Sequence, residues 1–142
     1  MRPLWHIYHP PATYTEADKQ EFAQAVTRSY RSWGLPDFYV VVLFHEIAAV
    51  DCYVGGRPAD STVRVVVEHL ARQLEDPDMR RIMTEKLDTV MAPFTHDRGL
   101  HCEFHVDETP RDLWMIGGLH PPPAGSAAEK QWVAAGKPVP YH

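Results

Sequence analysis

Two stretches of this chain carry the same run of elements, and that repetition is the strongest constraint on what it can fold into. Residues 3–9 (PLWHIYH) are rich in aromatic and β-favouring side chains and read as a strand, ended by Pro10-Pro11. Thr15, with Asp18 three residues on, is a capping-box variant that opens a helix running to about Trp33. Phe22, Ala23, Val26 and Tyr30 recur along it at three- to four-residue spacing. Gly34 and Pro36 stop the helix, and residues 38–45 (FYVVVLFH) form a nearly continuous apolar run, the mark of a strand buried on both faces. The order then recurs. Residues 62–69 (TVRVVVEH) are a second β-rich run, and Asp76-Pro77 is a helix start with proline at the first helical position. Met79, Ile82, Met83, Leu87, Val90 and Met91 make an apolar stripe read as core packing. Pro93 ends that helix, and residues 100–106 (LHCEFHV) close the second unit as a strand.

Strand–helix–strand units favour parallel pairing and right-handed crossovers. Two of them side by side predict an α/β (α+β) fold, a four-stranded, mainly parallel sheet with two helices on one face. The first repeat is expected over about 3–50, the second over about 62–107, and a C-terminal arm over about 108–142, all in one domain. The strands are too apolar to leave the other sheet face in water, which predicts a homo-oligomer formed through it. In the arm, Thr109-Pro110 starts a short helix through Trp114, and Gly117-Gly118 breaks it. Ser126 with Glu129 reads as a capping box for a last helix to about Ala134. Trp132 and Tyr141 give the arm apolar groups with which to pack on its own domain or on a neighbour. Gly55-Gly56-Arg57 lacks a strand–loop–helix phosphate fingerprint and reads as a hairpin-like turn.

Composition narrows the function. A net charge of -5 offers no basic face for nucleic acid. No apolar run approaches the roughly 18–20 residues that span a bilayer, and the first residues lack the layout of a secretory signal. Cys52 and Cys102 imply no disulfide framework, so a cytoplasmic protein is expected.

The first three residues, Met1-Arg2-Pro3, decide the chemistry at the head of the first strand. A free N-terminal proline is a secondary amine with a pKa of roughly 8, or lower when desolvated. Joined to a preceding residue, its nitrogen is an amide with neither proton nor basicity. Arg2 is too large to permit removal of an initiator methionine, so Pro3 is expected to be internal. There it would only head an edge strand.

The blocks PLWHIYHP, GLPDFYVVV, YVGG, VRVVVEH, EFHVDETPRDLW, GLHPPPAGSAAEKQWV and KPVPYH cover nearly the whole chain. Together with a proline heading two tandem units, they resemble the tautomerase superfamily. Within it the text is similar to the group related to cis-3-chloroacrylic acid dehalogenase, its fungal members in particular. The resemblance implies a homotrimer without cofactor or metal. It also implies an N-terminal proline that moves a proton between carbon and oxygen of a small 2-oxo acid, and arginines that hold the substrate carboxylate. Carried over, the proline falls on Pro3, the dehalogenase's helix histidine on Tyr30, and its arginine pair on Arg72, with Arg64 as an alternative. Its late-strand tyrosine falls near Glu103 and its water-activating glutamate near Ile116. These departures imply no dehalogenation and a weak or lost proline-based tautomerisation. Another base would then be needed, such as the Met1 amine, His6 or Glu103. His6 is expected beside the pocket, with His9 on the same strand face. A second reading is a non-catalytic binder of small carboxylates around Arg2, Tyr30 and Arg72, Arg2 supplying a permanent cation. A third reading takes His101, Glu103 and His105, which alternate on one strand face, as zinc ligands. No fourth ligand accompanies them, so a polar strand face is preferred and no metal is expected.

Overall fold

The computed structural model describes residues 1–142. The elements follow as β1 (Arg2–His9), α1 (Glu16–Arg31), β2 (Val41–Glu46), the short strands β3 (Tyr53–Val54) and β4 (Arg57–Pro58), β5 (Thr62–Leu70), α2 (Pro77–Met91), β6 (His101–Thr109) and α3 (Ala127–Ala135). Gly55 and Gly56, at φ of 60° and 79°, make the tight turn between β3 and β4, a backbone region that glycine enters without strain.

Strand alternation builds the sheet. On β1, Pro3, Trp5, Ile7 and His9 are buried while the residues between them stay partly exposed. On β5, Val63, Val65, Val67 and His69 are the buried set. These two strands are central and antiparallel, with Pro3 opposite His69 and Tyr8 opposite Arg64. Each has a parallel partner outside it, β2 on β1 and β6 on β5, giving the order β2-β1-β5-β6. Each β-α-β unit thus supplies a parallel pair, and the pairs join across an antiparallel seam in a mixed four-stranded sheet.

Both long helices start where capping chemistry puts them. Thr15 Oγ1 accepts from the Asp18 N–H, and Asp18 Oδ2 accepts from the Thr15 N–H. Asp76 caps α2 by accepting from the Asp78 N–H, with Pro77 in the first turn. α1 buries Phe22, Val26 and Tyr30, and α2 buries Met83, Leu87 and Met91, against Trp5, Ile7, Val63, Val65 and Val67. The opposite sheet face carries partly or fully exposed Leu4, His6, Tyr8, Leu43, Arg64, Glu68, Glu103 and His105.

Several local expectations change. Residues 37–39 form a 3-10 turn, and the strand begins at Val41. β2 is an edge strand with helices over one face only, so Leu43 is 41% exposed rather than buried on both faces. The α2 stripe divides: Met83, Leu87 and Met91 enter the core, while Met79 and Ile82 are exposed and line a cleft described below. His6 and His9, an odd number of residues apart, point to opposite faces. The short helix expected from Thr109 is a 3-10 turn over Arg111–Leu113, because β6 extends through Thr109.

The arm packs on its own chain. Trp132 is wholly buried against Tyr39 and Trp114, and its Nε1–H donates to the Val139 carbonyl at 2.7 Å. Ser126 Oγ accepts from the Glu129 N–H, while Glu129 Oε1 accepts from the Gly125 N–H, one residue before the reciprocal box position. No helix is long and apolar enough to cross a membrane.

Candidate functional site

Antiparallel pairing at the seam brings the start of β1 to the end of β5. Pro3 therefore lies beside His69, both turned toward the helices. α1 delivers Tyr30 to the same place. Trp5 Nε1–H donates to Tyr30 Oη at 3.0 Å, and Tyr30 Oη lies 2.6 Å from His69 Nε2. Trp5, Tyr30 and His69 are all fully buried. Burial pushes the Tyr30 phenol well above its usual value, against a smaller opposing effect of the Trp5 bond. Burial pulls His69 down to about 4, and the Met1 ammonium and Arg72 guanidinium act in the same direction. At neutral pH the phenol keeps its proton and the imidazole is neutral. Indole is only a donor, so Tyr30 Oη accepts from Trp5 and spends its own hydrogen on His69 Nε2. That accounting puts the imidazole hydrogen on Nδ1, the alternative leaving both the phenol hydrogen and Nδ1 unpaired. His69 Nδ1 is buried and has no partner.

A cleft of about 430 Å³ opens at this end of the molecule. Met1 lines it with Arg72 and Leu74 from the segment after β5. Trp33 and Leu35 come from beyond α1, Met79, Ile82, Met83 and Lys86 from α2, and Ala124, Gly125 and Glu129 from the arm. Burial lowers the Met1 α-amine, Glu129 opposes this, and Arg72 and Arg111 reinforce it. The cleft is thus apolar-walled, with cations at Arg72 and Lys86, an α-amine at Met1 whose charged form burial disfavours, and a single carboxylate, Glu129. Such a lining suits a small organic anion, an arginine fork matching a carboxylate in two-point contact. A broader depression of about 570 Å³ lies by Ala71, Gln73, Arg111 and His120, but it is polar and shallow. Its Arg111 is already engaged by the Pro121 carbonyl.

The segment bearing Arg72 is held in place. Ala71 sits at φ 64°, a left-handed conformation costing about 1–2 kcal/mol in a residue with a Cβ. Its N–H donates to the Thr109 carbonyl at 2.7 Å. Glu108 accepts from the Leu74 N–H at 2.7 Å, and Arg80 reaches both the Leu74 carbonyl and Glu108. Strain so tied down accords with a segment whose side chain must be aimed.

Of the residues singled out in the sequence, Pro3, Tyr30 and Arg72 gather at this end. Arg2 alternates away from Pro3, pairs across the seam with Leu70, and is not in the cleft wall. His6, Arg64 and Glu103 lie on the opposite sheet face. There His6 Nδ1 is 3.0 Å from His45 Nε2, and its Nε2 is 3.1 Å from Glu68 Oε2. Arg64 donates to the Glu103 carbonyl at 3.0 Å, and its Nη2 donates to His105 Nδ1 at 2.9 Å. His101, Glu103 and His105 do share an exposed face, but His105 is bonded to Arg64 and Asp107. No group of three His, Cys, Asp or Glu side chains is arranged to hold a metal ion. Sequence reasoning missed His69, Glu129 and Lys86. For His69 a signal existed: counting by twos from Val63 places it on the buried face, a histidine among valines.

Residues 1–137 match the family Tautomerase_3, described as "Putative oxalocrotonate tautomerase enzyme". The crystal structure of native RhCC from Rhodococcus jostii RHA1 is 41% identical, with a TM-score of 0.94 over 97% of this chain and 99% of that one. A probable enzyme from the thermophilic fungus Aspergillus fumigatus is 39% identical, with a TM-score of 0.92 over 99% and 98%. N1, a member of the cis-3-chloroacrylic acid dehalogenase family, is 18% identical and shares the fold, with a TM-score of 0.73 over 92% and 90%. Two fused 4-OT proteins described as asymmetric trimers, at 16% and 17% identity, share the fold with TM-scores of 0.66 over 82% of this chain and 94% of theirs. No curated protein matches. With a family match spanning residues 1–137 and a 41% identical structural relative, the chain belongs to the Tautomerase_3 family of the tautomerase superfamily.

Proposed function

We propose that this protein binds small 2-oxo acids in the Met1–Arg72 cleft and has weak or lost proline-based keto–enol tautomerase activity. The observation that carries the reading is Pro3 itself. With Met1 and Arg2 retained it is an internal residue of β1, between Arg2 opposite Leu70 and Leu4 opposite Glu68. Its nitrogen is an amide and accepts no proton. Arg72 supports recognition of the carboxylate, and the walls from Trp33, Leu35 and Met83 support an apolar substituent on the acid. General acid–base catalysis is worth roughly 10²–10⁴-fold, which sizes the expected deficit. Dehalogenation has no support: Ile116 offers no carboxylate, and Glu103 lies on the far face of the sheet.

A non-catalytic carboxylate binder is the second reading. It is favoured by the fixed cations of the cleft and by a neutral His69, which leave recognition intact without a proline base. For assembly we propose a homotrimer in the cytoplasm. The fused 4-OT trimers of like fold support this, as does a sheet face bearing Leu4 and Leu43 without helices over it.

The test joins intact mass to an assay with phenylenolpyruvate on one preparation, beside a variant with Arg2 deleted. That deletion exposes Pro3 once methionine is removed. Full-length protein with Met1 retained is expected to ketonise slowly or not at all, and the deletion to gain about 10²-fold or more. A full-length protein as fast as the deletion would overturn the proposal. Phenylpyruvate binding with no gain on deletion would establish the second reading.

A further inference from the structure

The full burial of His69 with one ring nitrogen unpaired has no structural explanation within the chain. Buried polar groups in folded proteins nearly always find partners; His9 Nε2, Tyr39 Oη and Trp114 Nε1 also lack one, and what singles out His69 is its place opposite Pro3. Three features locate its missing partner. Nε2, at the outer end of the ring, is taken by Tyr30. Nδ1 is attached to Cγ and stays near the strand, where His69 pairs with Pro3. The charges that act on the imidazole belong to Met1 and Arg72, both lining the cleft.

We infer that the His69 Nδ1–H is the hydrogen-bond donor for an oxygen of a 2-oxo acid whose carboxylate is held by Arg72, with Tyr30 fixing the tautomer that makes it a donor. The inference rests on the reading of this cleft as a 2-oxo acid site. His69 is sealed from solvent and lies outside the cleft wall, so access of the ligand to Nδ1 requires that wall to open. A neutral donor beside a fixed cation suits the oxygen that gains charge as a keto acid becomes its enolate. It recognises the same oxygen in a ligand that is bound and not turned over.

The experiment uses the two amides that imitate the two ring nitrogens. His69→Asn keeps an N–H near the Nδ1 position and abandons Tyr30. His69→Gln reaches Tyr30 and lacks the inner donor. Phenylpyruvate titration of the full-length chain is expected to give His69→Asn within about 3-fold of the unsubstituted protein, and His69→Gln and Arg72→Gln at least about 10-fold weaker. Binding that is lost in Arg72→Gln and unchanged in His69→Gln would overturn the inference and leave the cleft reading standing. Equal weakening in both His69 variants would make the residue merely structural. Absence of phenylpyruvate binding by the unsubstituted protein would remove both. Nitrogen NMR of His69 needs no substitution. It is expected to show a protonated Nδ1 and a bare Nε2 at pH 7, with Nδ1 shifting on phenylpyruvate addition; a protonated Nε2 would overturn the assignment without reference to ligand.

Discussion

A histidine held neutral in a core makes stability depend on pH in a direction that can be worked out. His69 titrates at about 4 when folded and near 6.5 when exposed. Between those values the unfolded chain binds more protons, so stability is complete above about pH 6.5 and declines as pH falls toward 4. The full gap corresponds to about 3 kcal/mol. Urea unfolding at pH 7.5, 5.5 and 4 is expected to show that decline, and His69→Asn to flatten this part of it. Tyr30→Phe is a sharper lesion. It leaves the Trp5 indole N–H and His69 Nε2 buried without partners, each orphan costing about 1–3 kcal/mol. The expected outcome is a fall in the urea midpoint with unchanged slope.

At the level of elements, the arm is pinned chiefly by one side chain. Trp132 fills the space beside Tyr39 and Trp114, so Trp132→Ala is expected to cost about 3–5 kcal/mol locally. Because Ala124, Gly125 and Glu129 are cleft wall, the arm should loosen first. Limited proteolysis should cut within residues 115–126 before the sheet opens, with phenylpyruvate binding lost in parallel. Thr15→Ala, by contrast, removes a cap worth about 1 kcal/mol and leaves the cleft alone. Element identity was legible because it is local: Thr15 with Asp18, Asp76 with Pro77 and the alternation of β1 and β5 are short-range patterns. The cleft was not. Arg72 and Tyr30 were found through resemblance, whereas Glu129 reaches Met1 only because the arm folds back, which no spacing encodes. His6 went astray for a simpler reason: sharing a strand with Pro3 says nothing of sharing a face, and one residue of offset reverses the side chain.

For the whole molecule the open sheet face is the decisive surface. Leu43, at 41% exposure, stands there beside the His45–His6–Glu68 chain. Light scattering of the native protein is expected to give about three times the 16.2 kDa chain mass, and Leu43→Asp to shift it toward monomer while the core remains folded. A native monomer would remove the trimer reading.

The seam between the two units bears on how such a protein changes over time. Because the first residue of β1, Arg2, lies opposite the last residue of β5, Leu70, a residue placed before Pro3 gains a ladder partner. The register of the seam therefore accommodates a residue ahead of the proline. The architecture permits a chain to carry a residue ahead of the proline while keeping a well-packed protein on which a different use of the same cleft can be selected.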